Sequence, residues 1–342
     1  MNIIIVIFFL GILVVLHEAG HFFMARVLGM KVIKYSVGFF KPIFTWQSPK
    51  TDIIYQIGAV PLGGFVQVKG MDPFEEGAYT DRDSYQMKSP FKRALVIVAG
   101  PVANLVTAWL ILFFIVTLSG LQNVVDKSVV GVVVKDGPAY KAGLLKDDVV
   151  LSLNGKEMKT WESLANALHE NPDKPVTLLI KRGERLQNIT VTPDNVDGQG
   201  LIGINAPTEN VSLPPFKGAV FATIKIKGVL KDTLTGLLEL VTGKAQNVQA
   251  VGPPGIVKMA SSQLETGMAS FLAFISYISL MLFLFNLLPI PALDGGRSVF
   301  LLYEIISRKR VNKRVDATLN TVFFFLLMGF VLFISIKELI EG

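Results

Sequence analysis

The chain has 342 residues, of which 51% are apolar and only 18% charged, and its mean hydropathy is +0.50. A soluble domain carries closer to a quarter charged residues, so these values exclude an ordinary soluble globular protein. The absence of cysteine excludes disulfides, thiolate zinc sites and cysteine nucleophiles, and the net charge of +6 includes no basic run interleaved with aromatics, so no nucleic-acid partner is expected.

Residues 1–30 are the first predicted span. No charged side chain occurs before His17, and apolar character resumes after His21. The run exceeds the ~20 residues that cross a bilayer. It lacks the basic start and the small-residue cleavage site of a signal peptide. Residues 31–93 change character. β-prone pieces at 32–37, 43–46, 53–57 and 65–68 alternate with Gly, Pro and Ser, which predicts hairpins, and a polar loop follows. Residues 94–119 form a second uncharged run. Residues 125–207 predict a soluble insert of strands with one helix over 161–169. In residues 208–265, Lys225, Lys227 and Lys231 fall among apolar positions, as in a helix lying on a membrane surface. A third uncharged run covers 266–293 and is broken by Pro289 and Pro291, and a fourth covers 317–337.

Lys and Arg crowd the loops after the first run and between the third and fourth, at Arg26, Lys31, Lys34, Lys88, Lys92, Arg93 and Arg308 to Arg314. With four spans these loops share one side, the cytoplasmic one. Both termini and the insert are then extracytoplasmic.

Three ionisable groups sit inside the first span. His17 and His21 are at i and i+4, so both imidazoles can reach one metal ion. Glu18 lies beside them and can take a proton from a metal-activated water. Unpaired, such groups in a span cost several kcal/mol. The competing reading is a polar helix interface. A catalytic zinc needs a third protein ligand, and Asp294 is the best candidate. It ends the third run, where two prolines break the helix and Gly295 and Gly296 permit a tight turn. The alternative for Asp294 is a simple helix cap. Iron or cobalt also suits two histidines and a carboxylate, but the ligand types favour one zinc per chain. Asn286, a carboxamide in an apolar span, can bond the substrate backbone or a developing oxyanion, or else a neighbouring helix carbonyl.

These motifs resemble the site-2 protease family of intramembrane zinc metalloproteases, in its bacterial branch with a single PDZ domain. The resemblance covers nearly the whole chain. It implies that His17, His21 and Asp294 bind zinc and that Glu18 is the general base. It implies substrate handling by Asn286 with Pro289 and Pro291. Asn104, in Gly100-Pro101-x-x-Asn104, also matches a family pattern. Gly63 and Gly64 fall in a stretch similar to the family's membrane-dipping β-region, whose strand edge would receive an unwound substrate.

In the insert, Gly131–Val134, Gly137-Pro138-Ala139, Ala142-Gly143-Leu144 and Leu151–Gly155 precede the helix and two further strands. This order resembles a circularly permuted bacterial PDZ domain. Leu201, Ile202 and Gly203 then fit the loop that holds a peptide's C-terminal carboxylate, unless they form a plain closing strand. A size filter over the zinc is another role for the domain. His169 is expected at the surface.

The expected fold is a polytopic α-helical membrane protein with four transmembrane helices, a membrane-dipping β-hairpin region and an inserted α+β PDZ domain. The expected activity is zinc endopeptidase cleavage of transmembrane segments in single-span proteins, such as anti-sigma factors or remnant signal peptides, in a bacterial cytoplasmic membrane. Two other classes compete. One is a non-cleaving membrane PDZ receptor or chaperone. The other is a zinc hydrolase acting on lipid amides or esters.

Overall fold

The computed structural model describes residues 2–124, 126–196, 198–244 and 250–341. In chain order, α1 (Asn2–Val27) leads through β1 (Val32–Gln47) and β2 (Ile54–Val68) to α2 (Pro90–Phe114). The insert follows, with β3 (Leu121–Val124), β4 (Val132–Val133), α3 (Pro138–Lys141), β5 (Val149–Leu153), β6 (Lys156–Glu157) and α4 (Trp161–His169). It continues with β7 (Val176–Arg182), β8 (Arg185–Val191), β9 (Asp194–Val196), β10 (Gln199–Leu201), β11 (Ile204–Asn205) and β12 (Thr208–Val211). The chain ends with α5 (Pro215–Val241), α6 (Pro253–Thr266), α7 (Met268–Leu287), α8 (Asp294–Ser307) and α9 (Lys313–Glu341). Two compact units result, Met1–Ile115 with Pro215–Gly342, and Val116–Pro214.

α1, α2 extended to Ser119, α7 and α9 are long and apolar enough to cross a membrane. α2 starts four residues before the expected run because Ser89 caps it, accepting from the Lys92 amide at 3.5 Å, and Pro90 suits a helix's first turn. α1 and α2 approach closely. A Cβ at Gly20 would collide with the Ala99 carbonyl of α2, a small-residue contact of the kind that lets membrane helices pack without a hydrophobic drive. α7 is tied to α2 by two buried hydroxyls. Ser276 donates to the Ala108 carbonyl at 2.9 Å and Ser279 to the Asn104 carbonyl at 2.8 Å. Phe22, Val32, Val68, Val96 and Leu301 form one core; Val6, Leu13, Ala260, Phe271 and Ile275 form another.

The four β-prone pieces become one sheet wound from two bent strands. Residues 32–37 of β1 pair with residues 64–68 on one side and with 54–57 on the other, and 54–57 also pair with 44–47. Residues 64–68 are therefore an edge. At the far end Phe39, Phe40, Ile43, Phe44 and Trp46 are exposed. α5 lays Ala222 and Ile226 inward while Lys225, Lys227 and Lys231 stay exposed, and Trp109 of α2 donates to Thr223 at 3.0 Å. Part of the expected amphipathic segment, at 245–249, lies outside the described residues.

The second unit holds a four-stranded antiparallel sheet in the order β6-β5-β7-β8, with β4 paired to β11 and β9 to β10. Alternating residues of β7 (Val176, Leu178, Ile180) pack under Leu164 and Leu168 of α4. Thr160 caps α4 reciprocally with Ser163. The unit reaches beyond the expected 125–207 because β12 pairs with β3 across its base. Asp148, 1% exposed, takes both oxygens' bonds from Arg182 at 2.7 Å and one from the Leu145 amide at 2.9 Å. Burial opposes that carboxylate, but the guanidinium and the amide outweigh it and hold the carboxyl below its ordinary range.

Candidate metal centre

His17 and His21 project from the same face of α1, one turn apart, as their spacing requires. Their Nε2 atoms lie 3.2 Å from each other. The Asp294 Oδ2 atom completes a triangle, 3.2 Å from His17 Nε2 and 3.4 Å from His21 Nε2. Ligand atoms at ~2.0–2.1 Å around a tetrahedral ion lie about 3.3 Å apart, so the three observed separations fit a zinc ion.

The tautomers point the same way. His21 Nδ1 donates to the Val96 carbonyl at 2.8 Å, which leaves its Nε2 lone pair facing the triangle. His17 Nδ1 lies 3.1 Å from the Asn104 carboxamide. With its own Nε2 lone pair directed at Asp294, His17 carries its proton on Nδ1 and needs an acceptor there. The Asn104 carboxamide oxygen, otherwise buried without a partner, supplies one when turned to that position. Asp294 Oδ2 is itself buried and meets no hydrogen-bond donor of acceptable geometry. Three lone pairs converging in a buried place repel one another unless a cation sits among them. Among the described residues this is the one group of His, Asp and Glu side chains close enough to share a metal.

Asp294 is delivered by an irregular segment. α7 ends at Leu287, and the backbone turns through Leu288 to Leu293 before α8 begins at Asp294. The N-cap of α8 is Leu293, so the carboxylate of Asp294 is not spent on capping. A Cβ at Gly295 would collide with the Leu288 carbonyl and one at Gly296 with the Ile290 carbonyl, which explains both glycines. Ala292 adopts φ +76°, and its amide is held by Asn320 of α9 at 2.8 Å. Asn320 in turn donates to the Asp316 carboxylate at 2.6 Å and the Asp316 carbonyl at 2.9 Å. Gly100 belongs to the same logic, since a Cβ there would collide with the His21 ring.

A cavity of about 350 Å³ opens on the triangle, lined by His17, Glu18, His21, Asn286, Asp294 and the edge residues Phe65, Val66 and Val68. The Val66 backbone lies in hydrogen-bonding reach of the Glu18 carboxylate, and Gly64 packs beside Glu18 and Val14. Tyr35 of β1 ties the sheet to α1 by donating to the Val15 carbonyl at 2.6 Å. Burial and then the charge of Glu18 push its phenol up to about 12, so it stays a donor. The half-buried Asn286 carboxamide bonds no described residue and lines the cavity.

The remaining expected positions stand further off. Asn104 is fully buried behind His17. Pro289 and Pro291 shape the turn without lining the cavity, and Gly63 packs against the Phe39 ring. In the insert, Leu201 ends β10. Ile202 is 2% exposed in the core and its carbonyl accepts from Ala139 at 2.8 Å, while the Gly203 carbonyl accepts from Val134 at 2.8 Å. His169 is half-buried at the end of α4 and is not one of the clustered side chains. Sequence reasoning missed Val96, Tyr35, Asp316, Asn320 and Arg297. Only the Asp316/Asn320 pair left a signal, two polar residues at i and i+4 heading an apolar run.

Known proteins resemble this chain over most of its length. The regulator of sigma-W protease RasP of Bacillus subtilis is 28% identical over 96% of this chain and 96% of its own. The zinc metalloprotease RasP of Geobacillus kaustophilus is also 28% identical, over 96% of this chain and 95% of its own. The PDZ domain of the SdrC-like protein from Listeria monocytogenes aligns over 25% of this chain and 93% of its own, with 20% identity and a TM-score of 0.22. The profile of peptidase family M50 matches residues 5–330, and the chain belongs to that site-2 protease family, as a multi-pass membrane zinc metalloprotease.

Proposed function

We propose that this protease cleaves peptide bonds within the membrane-spanning segments of single-span proteins, with Glu18 as general base and then general acid. One observation carries the reading. Two imidazoles and Glu18 of an apolar helix meet a bare carboxylate oxygen from the start of α8, beside the strand edge at 64–68. A soluble peptide needs no such burial of chemistry, whereas a bond in a bilayer does.

An extended stretch of substrate pairs with the free edge of β2, which holds the backbone that its own helix no longer satisfies. Asn286 donates to the scissile carbonyl oxygen as charge grows there. His17, His21 and Asp294 hold zinc, which supplies Lewis acidity toward water and carbonyl. Glu18 takes a proton from the attacking water and passes it to the leaving nitrogen. The C–O bond forms, the C–N bond breaks, and the products are a carboxylate and an amine.

In this reading α1, α2, α7 and α9 all span the bilayer. The loops at 31–93 and 308–314 face the cytoplasm. The exposed aromatic tip of β1 dips into the membrane, and the insert is an extracytoplasmic PDZ domain that takes peptide C-termini or screens substrates by size. Anti-sigma factors and remnant signal peptides are the substrate classes. The sigma-W connection of the Bacillus relative supports the first.

The test is cleavage by purified enzyme in detergent. A single-span substrate is compared with the same sequence carrying charges through the span, and with lipid amides. Cleavage of the first alone, abolished by Glu18→Gln and by chelation, is the expected result. Equal cleavage of the charged control, or turnover of the lipid, contradicts the proposal.

A further inference from the structure

The metal pocket has a neighbour. A second cavity, of about 430 Å³, shares Phe65, Val66, Val68, Met71 and Arg297 with it as a common wall. The charges around this second cavity are nearly all engaged. Glu304 accepts from Arg93 at 2.6 Å and pairs with Arg310 at 3.4 Å. Glu75 accepts from the Gly70 amide at 2.7 Å, Asp72 from the Phe74 amide at 2.8 Å, and Asp316 from Asn320 at 2.6 Å. Lys313 lies over the Phe74 ring, 5.0 Å from its centroid. Arg297 is the exception. It is exposed, makes no hydrogen bond or ion pair with a described residue, and feels Asp316 and Tyr85 only through space.

Its place in the chain gives this charge a meaning. Arg297 sits three residues after Asp294 on α8, at the seam between the two cavities. Peptide hydrolysis creates a charge that the substrate lacks. The neutral carbonyl carbon leaves as a carboxylate, between the acidic side chains of Glu18 and Asp294. Like charges at that range repel, while a guanidinium matches a carboxylate with two parallel bonds.

We propose that Arg297 is a product site, which binds the newly formed C-terminal carboxylate as it passes from the metal pocket into the adjoining cavity. The ligand class is a peptide with a free α-carboxylate. Uncut substrate offers Arg297 no anion at that point, so the site discriminates product from substrate. The inference rests on the proteolytic reading of the metal centre.

The experiment uses fluorescent peptides that end at the mapped cleavage position, with either a free carboxylate or a C-terminal amide. They are titrated by anisotropy into full-length Glu18→Gln enzyme and into Glu18→Gln/Arg297→Gln, with zinc content measured for both. The free acid should bind Glu18→Gln about tenfold more tightly than the amide, as a charge-assisted pair implies. With Arg297→Gln that ratio should fall to about one, the amide's affinity and the zinc content should stay unchanged, and Arg297→Lys should recover part of the ratio. A ratio that survives Arg297→Gln, or a ratio of one in Glu18→Gln itself, overturns the product site. If the wild type cuts no single-span substrate, the proteolytic reading fails instead, and the two failures are told apart by that control.

Discussion

The metal cluster is assembled in two unlike ways. α1 supplies His17 and His21 by regular helix geometry, one turn apart, so their convergence needs little beyond the helix itself. Asp294 comes from a broken segment whose backbone is held at Ala292 by Asn320, at Gly295 by close approach, and by nothing periodic. The ordered half is robust and readable. The irregular half depends on contacts from a distant helix, which no local pattern announces.

That contrast sets an order of fragility. The largest effect is expected at Glu18. Glu18→Gln should lower kcat by about 10²–10⁴-fold, the range for a lost general base, while equilibrium dialysis still finds zinc bound. Next come the groups that orient ligands. Asn104→Leu should weaken zinc binding about 10–100-fold, as loss of a ligand's hydrogen-bond partner does, and Asn104→Asp, which keeps an acceptor, should recover most of it. Asn320→Ala should weaken zinc by about tenfold through the Asp294 segment, and the thermal unfolding of the metal-free protein should move little. If Asn320→Ala unfolds the metal-free protein as much as it weakens zinc, the residue is structural and the contrast between the two halves fails.

The insert provides a control remote in sequence from the metal. Asp148 titrates below its unfolded value of about 3.9, because Arg182 and the Leu145 amide outweigh its burial. Stability from this pair is therefore fully present above that pH and is lost as pH falls through the folded value. Arg182→Met should destabilise the insert by on the order of 3 kcal/mol at neutral pH, read as an earlier chemical denaturation midpoint. Asp148→Asn should flatten the acid limb of the stability profile. Zinc affinity at neutral pH should be unchanged in both. The smallest effect is expected at Glu338 of α9, whose carboxylate caps α6 by accepting from the Gly252 and Gly255 amides at 2.8 and 3.0 Å. Glu338→Gln should cost about 1 kcal/mol, and trypsin should cut α6 sooner.

Much of this architecture was legible in the sequence because membranes and metals impose simple patterns. Uncharged runs mark the four long helices to within a few residues at most ends, and the i, i+4 histidines mark the candidate metal site. The helix at 161–169 and the strand beginning at 176 were legible from hydrophobic period. Composition marks the pieces of the β-region, but their order, with 32–37 between 64–68 and 54–57, rests on pairing across the sheet, which single strands do not encode. The partners of the metal ligands were less legible for the same reason. The Val96 carbonyl has no side-chain signature, and Asn320 lies 28 residues from the amide that it holds. Asn104 stood out as a motif residue, but its place behind His17 follows from helix packing.

The most direct test of the metal centre is zinc X-ray absorption on purified wild type, Glu18→Gln and Asp294→Asn. Wild type and Glu18→Gln should each hold one zinc with two imidazoles and oxygen ligands at about 2.0–2.2 Å. Asp294→Asn should lose the metal or show a longer, altered oxygen shell. A spectrum of Asp294→Asn identical to wild type at equal zinc content would remove Asp294 from the ligand set and with it the account of how this broken segment serves the site.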